Sequence, residues 1–405
     1  MGSVSAGSAS PGRAVNVLDP QFYVDPWDDY RWLRDESPAY WDPVQRLWAI
    51  SRHEDIFTIE RDPRRYSSFS GSRPHIDQRG DLSMINMDDP EHQEQRALVY
   101  RRFTRRSMRD HEDHVRTVMT EILDAVTPHG ECEAIEAIAS RLPAIIIGDL
   151  LGYPRDMWER LRFWSEQTML LGGRTDADGP PHVMHPDLVP VMRDFFETTA
   201  ELVSARRADP GDDLISLWAT TPGWDTKHVL DETILLVDGG AETTRTVIGS
   251  MIRELALQPG QRQILLERPE LLAETAVEEF IRWVSPLSNM RRTVTEDHEL
   301  HGQQLRAGDE LLLLYASANR DPRVFSRPDE LDVTRANSRH LSFGTGTHVC
   351  LGAHLARLEI RVAFEELLKR IPDWELADPG EPRILPATFA RAYDRIRITF
   401  TPGRA

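Results

Sequence analysis

The sequence predicts a mainly helical fold with a small β-rich region. Apolar stripes recur at helical spacing, strand patterns are few and short, and no repeat or linker divides the chain. Val115, Val118, Met119, Ile122, Leu123 and Val126 fall at i, i+3, i+4, i+7, i+8 and i+11, one face of a helix. Thr127 and Pro128 stop it, because the residue before a proline is pushed out of the helical region. Similar stripes run through 191–207, 229–257 and 270–284, and from 351 to about 371. Strand signals lie in the apolar run 311–315 and in Ile396, Ile398 and Phe400, which alternate with polar residues. The Gly/Pro/Asp-rich stretch 172–190 reads as a surface loop. Residues 1–16 read as a flexible tail and 17–405 as a single domain.

Composition narrows the function classes. With 40% hydrophobic and 28% charged residues the chain is globular rather than disordered. Its 48 Lys and Arg against 66 Asp and Glu leave a net charge of −18, which repels nucleic acid and anionic membrane alike. Only Cys132 and Cys350 occur, so a reduced, cytoplasmic setting is expected. The first eleven residues lack the basic run and apolar core of a signal peptide, and Ala6 breaks the myristoylation pattern. No apolar stretch is long enough for a membrane anchor.

The sharpest local signal is Phe343-Gly344-Thr345-Gly346-Thr347-His348-Val349-Cys350-Leu351-Gly352. Close glycines permit a tight turn and an approach to something flat. A thiol at a helix start is expected to have a lowered pKa and to ligate iron well. On these residues alone Cys350 is either a ligand or a small buried hydrophobe. With Leu355, Ala356, Arg357 and Glu359 following, the run resembles the haem-binding loop of the cytochrome P450 family. That resemblance implies the cytochrome P450 fold and heme b, with Cys350 as the axial thiolate of the iron. It also implies that His348 donates to a haem propionate and that Phe343, Gly344 and Gly352 shape the cofactor site.

Three further segments resemble the same family. Gly239-Gly240-Ala241-Glu242-Thr243-Thr244 lies mid-helix, where each glycine costs roughly 1 kcal/mol relative to alanine and so needs a reason. By resemblance Gly240 lies over the cofactor, Thr243 faces the oxygen site and Glu242 relays protons from solvent. Glu279 and Arg282 sit at i, i+3, usually a solvated pair, but the resemblance implies a buried brace with Arg335 as the candidate third member. His92 and Arg96 share a helical face after Pro90, and the resemblance makes them propionate ligands together with Arg292, which fits better than Arg291.

The implied enzyme is a haem-thiolate monooxygenase. It uses O2 and two electrons, passed from NAD(P)H through ferredoxin reductase and ferredoxin, to hydroxylate a small hydrophobic substrate. Met84, Ile85, Val237, Val284, Leu287 and Phe389 are the expected pocket residues, although core packing produces the same apolar composition. Gly71-Ser72-Arg73-Pro74, Glu242-Thr243-Thr244-Arg245, Asn289-Met290-Arg291-Arg292 and Ala387-Thr388-Phe389 resemble bacterial members that oxidise sterol side chains and methyl-branched lipids. Tailoring of a macrolide, terpenoid or other natural product is the rival substrate reading. A peroxide-driven enzyme and a non-catalytic haem sensor are the rivals in mechanism. Arg101, Arg102, Arg105, Arg106 and Arg109 read as a solvated face or as a dock for an acidic ferredoxin. His182 and His185 lie in a loop with no ligand pattern around them and are not expected to bind metal.

Overall fold

A computed structural model describes residues 13–172, 185–336, 339–380 and 382–403. Its axis is the 32-residue helix Thr226–Leu257, whose first turn is capped by the Asp225 carboxylate accepting from the His228 N–H. It stops at Gln258, and Pro259 opens the next helix, where a missing N–H costs nothing. Helices Arg141–Leu151, Trp158–Leu171, Val277–Val284 and Ala353–Arg370 pack around it. The predicted stripe forms Glu112–Val126, with all six of its apolar residues buried. The 191–207 stripe extends to Leu188–Ala208.

The sheet region is small. Five strands run in the order Ala39–Asp42, Leu47–Ile50, Glu310–Leu313, Met290–Val294, Tyr66–Ser67. All pairings are antiparallel except Leu47–Ile50 against Glu310–Leu313. The alternation of side chains along Met290–Val294 sends Arg291 and Arg292 to opposite faces. Arg291 donates to the carbonyls of Arg73 and Ile76, whereas Arg292 reaches the central cavity.

Several expectations change in detail. The 270–284 stripe is broken by a wide turn, Leu272–Ala276, before the helix Val277–Val284. Tyr315 leaves the strand for the short helix Tyr315–Ala318. Of the expected tail, residues 1–12 lie outside the described residues, and the chain is already packed at Val15, whose N–H donates to the Tyr40 hydroxyl at 2.9 Å. His182 lies outside the described residues, and His185 is half-buried beside Asp187. Among the described residues no helix is long and apolar enough to cross a membrane, and no cluster of His, Cys, Asp and Glu could hold a metal ion.

The Glu279–Arg282 pair is fully buried. Arg282 Nε and Nη2 donate to the two carboxylate oxygens at 2.7 and 2.8 Å, a bidentate contact on one helical face. Arg335 Nε adds a third hydrogen bond to Glu279 at 3.0 Å. Arg282 also donates to the carbonyls of Asn319, Pro328 and Glu330, so this one guanidinium ties a helix to the irregular chain before the cysteine loop. Removing Arg282 leaves the buried Glu279 carboxylate with only the single Arg335 guanidinium bond and takes the donor from the Asn319 and Pro328 carbonyls. Arg282→Ala is therefore expected to cost about 3–5 kcal/mol, a large share of a typical domain's stability. Urea unfolding followed by circular dichroism measures it, and a loss below about 1 kcal/mol rejects the brace.

Candidate functional site

An apolar cavity of about 220 Å³ separates the Thr226–Leu257 helix from the loop before Ala353–Arg370. Backbone geometry brings the cysteine to it. Gly344 and Gly346 adopt φ of +63° and +70°, and a Cβ on Gly346 would stand 2.2 Å from the carbonyl oxygen of Glu60. The Thr345 N–H donates to Glu60 Oε2 at 2.9 Å, and the Cys350 N–H closes the loop on the Phe343 carbonyl at 2.8 Å. Phe343 is held under the Arg357 guanidinium, 4.5 Å from its ring centroid. Arg357 in turn pairs with Glu278, whose carboxyl is held at about 2: burial would raise it, but His340 and Arg357 outweigh that.

Cys350 lies two residues ahead of the helix cap Gly352, with its exposed surface turned to the cavity. Burial pushes its thiol up, while the Gly352 N–H, Arg96 and Arg357 pull the other way. The expected lowering by a helix start is thus outweighed by desolvation, and a bound cationic metal is what favours the deprotonated sulfur. Cys132, the other cysteine, lies in the strand Glu131–Glu133, away from the cavity lining.

One edge of the cavity collects donors. The His92 and His348 rings lie 4.0 Å apart, and the Nε2 atom of each is buried without a partner. His92 Nδ1 meets Asp89 at 3.1 Å, and His348 is bonded to the main chain of Met87. Burial lowers His92, and burial with the nearby Arg292, His92 and Arg96 charges lowers His348 to about 2. Arg96 and Arg292 line the same edge. Two orphaned ring nitrogens and two guanidinia on one rim, with a sulfur on an otherwise apolar wall, fit a flat metal ligand bearing paired carboxylates. Heme b has that chemistry.

The facing helix supplies Leu235, Leu236, Gly239, Gly240, Thr243, Thr244 and Val247, a stripe at helical spacing. Its two glycines serve different ends. Gly239 meets nothing within 4 Å, whereas a Cβ on Gly240 would stand 2.8 Å from Ile147, so Gly240 admits a neighbouring helix. The Thr243 hydroxyl donates back to the Gly239 carbonyl at 2.7 Å, a bond that bends a helix locally. Glu242 is buried in an ion pair with Arg245, which also donates to Ser140, and its carboxylate does not line the cavity. Met84, Ile85 and Leu287 line the cavity as expected. Val237, Val284 and Phe389 do not: Val237 and Val284 face the core, and Phe389 lies under the Arg73 guanidinium at 4.5 Å. Val237 is adjacent to a cavity residue in sequence, but one step along a helix turns it away.

Several lining residues carried no sequence signal of this role, Glu60, Phe103 and Tyr315 among them. Glu60, from the helix His53–Glu60, accepts from the Tyr315 hydroxyl and lies 3.4 Å from Arg292, its carboxyl raised by burial. Phe103 and Tyr315 complete the wall. Glu359, visible only as part of the cysteine motif, is buried on the cavity and bonded to Thr244.

The Cytochrome P450 family model matches residues 270–398. A steroid C26-monooxygenase of Mycolicibacterium smegmatis is 36% identical over 96% of both chains. A linalool 8-monooxygenase of Pseudomonas putida is 33% identical over 96% of this chain and 99% of its own. Among solved structures, a Mycobacterium marinum cytochrome P450 in complex with pseudoionone superposes with a TM-score of 0.87 at 30% identity, covering 97% of this chain and 100% of that one. The chain belongs to the cytochrome P450 family. It is a haem-thiolate monooxygenase, and since Cys132 is remote from the cavity, Cys350 is the thiolate.

Burial raises the Glu359 carboxyl to about 8, against the Thr244 hydrogen bond. A carboxyl raised on folding stabilises most below its unfolded pKa, and that contribution is lost as pH climbs from about 4.5 towards 8. Glu359→Gln is expected to flatten the fall in holoenzyme stability across that window. Urea midpoints at intervals between the two values test it, and parallel curves for both proteins refute it.

Proposed function

We propose that this enzyme hydroxylates the terminal methyl of a sterol side chain or a methyl-branched lipid. The observation that carries the reading is the 36% identity, over 96% of both chains, to a protein named steroid C26-monooxygenase. Local structure supports it. Three of the four stretches that resemble sterol and branched-lipid oxidisers, around Arg73, Arg291 and Phe389, meet beside the cavity. Arg73 stacks on Phe389, Arg291 holds the 73–76 carbonyls, and Asn289 donates to the Thr388 carbonyl at 2.7 Å. Leu287, on the cavity, bridges Ala390 beside Phe389.

His92, Arg96, Arg292 and His348 would hold the propionates, and Cys350 the iron. The bound haem supplies oxygen activation and insertion of one oxygen atom into a C–H bond. The chain supplies the rest. Leu235, Leu236, Val247 and Leu287 exclude water and orient an apolar chain. Thr243 places a hydroxyl on the cavity wall able to hold a proton, and Glu242, next to it in sequence and buried against Arg245, is the neighbouring acid that would pass one to it. Binding spectra with sterols, methyl-branched fatty acids and macrolides test the substrate class. Sterols with an intact side chain should shift the haem spectrum and yield a terminal alcohol by mass spectrometry. A shift with macrolides and none with sterols or branched lipids overturns the reading.

Electrons would come from a ferredoxin docking on the arginine-rich segment. Arg101, Arg105, Arg106 and Arg109 are exposed there, and Phe103, between them in sequence, reaches the cavity wall. Arg101→Glu with Arg105→Glu should slow ferredoxin-driven reduction by about tenfold or more at low salt, with substrate affinity unchanged. Unaltered stopped-flow reduction rates defeat the assignment.

A further inference from the structure

A second cleft of about 380 Å³ lies on the other side of Val284, between helix Trp27–Glu36, the end of the long helix and the chain near Arg391. Its lining is unusual for a protein of net charge −18, because arginines converge on it. Arg320 is 6% exposed and sandwiched between two indoles, 4.3 Å from the Trp27 centroid and 3.8 Å from that of Trp283. Arg391 lies over Trp27 at 5.2 Å, and Arg253 over Tyr393 at 5.0 Å.

These guanidinia are under-used. The Nε atoms of Arg253, Arg320 and Arg391 are all buried with no acceptor. Arg320 makes only two long hydrogen bonds, 3.4 Å each, to Asp329 and to the Trp283 carbonyl. Among the described residues the Arg391 guanidinium makes no side-chain hydrogen bond or ion pair, and Glu254 and Asp25 act on it only from farther away, although a guanidinium carries five N–H donors. The acids are poorly placed to answer: Asp329 is half-exposed at the rim, and Glu254 is engaged by Arg253 and Gln258. Buried polar groups in native proteins find partners, so unanswered donors in an open cleft mark a ligand.

We propose that this cleft binds a phosphate-type oxyanion, held by Arg391 and Arg320, with Arg253 closing one side. A tetrahedral oxyanion offers acceptors in several directions, matching donors that converge from three segments of chain. The ring faces of Trp27 and Trp283 are covered by guanidinia, so the site presents charge rather than apolar surface. Burial first, and then the nearby Arg282 and Arg391 charges, lower Arg320 to about 9 against the pull of Asp329, a cost that a bound anion offsets. The site is distinct from the haem cavity but adjoins it. The Arg391 N–H donates to the Pro286 carbonyl at 3.2 Å, and Pro286 lines that cavity.

The oxyanion is either free orthophosphate or the head of a phosphomonoester, and the room in the cleft admits both. Calorimetric titration of the holoenzyme with orthophosphate and, separately, glycerol 3-phosphate, at constant ionic strength in chloride, tests the site. Saturable one-site binding of at least one is expected, the tighter ligand naming the source. Arg391→Gln should weaken it by about tenfold or more while leaving the haem spectrum unchanged. Should that variant fail to fold, Arg253→Gln, at the half-exposed side, reads the same loss. No saturable binding of either ligand, or equal affinity in the variant that folds, overturns the proposal.

Discussion

The site depends on a backbone contact that leaves no room for a side chain. Gly346 passes so close to the Glu60 carbonyl that any Cβ would collide with it, and both loop glycines hold left-handed conformations. That contact fixes where the 343–352 loop turns, and hence where the sulfur of Cys350 arrives. The same Glu60 receives the Thr345 N–H and faces Arg292 and Tyr315 with its carboxylate. One residue from the sheet side of the molecule therefore sets the cysteine loop and the cavity arginine Arg292 together. The Glu279–Arg282–Arg335 network acts from the opposite direction, pinning the chain that leads into the loop.

Electrostatics divide the molecule. A chain of net charge −18 gathers cationic and neutral donors in two places: His92, Arg96, Arg292 and His348 on the cavity, and Arg253, Arg320 and Arg391 in the second cleft. In both places burial depresses cations, including Arg96 and Arg391, and burial alone does not pay for that. A pair of carboxylates at the first and an oxyanion at the second would compensate it. The repeated pattern is desolvated positive charge answered only in part by protein carboxylates: Arg292 lies 3.4 Å from Glu60 and Arg320 3.4 Å from Asp329, both long for an ion pair.

Much of the site was legible because its parts are linear. The cysteine loop, His92 and Arg96, and Glu279 with Arg282 are each carried by one short segment, so spacing alone puts their side chains together. The helical stripes were legible for the same reason, and the structure moved their ends by only a few residues. What the sequence did not show comes from distant segments. Glu60 and Tyr315 meet Arg292 through the sheet and its helix, and nothing near either residue announces it. The pocket residues were the weakest part, because apolar composition does not say which face of an element looks inward. Val237, one residue past Leu236, is core for that reason alone.

Arg73 sits where three segments meet beside the cavity. Its guanidinium donates to the Thr168 carbonyl at 2.9 Å, stacks on Phe389 and approaches Asp238 at 3.8 Å. Asp238 is raised to about 7, because burial and the Glu242 charge outweigh the help from Arg73 and Thr168. Near neutral pH that carboxyl is therefore only partly ionised, and the Arg73–Asp238 pair is at the edge of being an ion pair at all. The Thr168 carbonyl and the aromatic face do not titrate, so they carry the hold on Arg73. Phe389 packs on Leu287 and Met290, both on the cavity wall, so the modest hold on Arg73 leaves that corner of the cavity backed by contacts that can adjust.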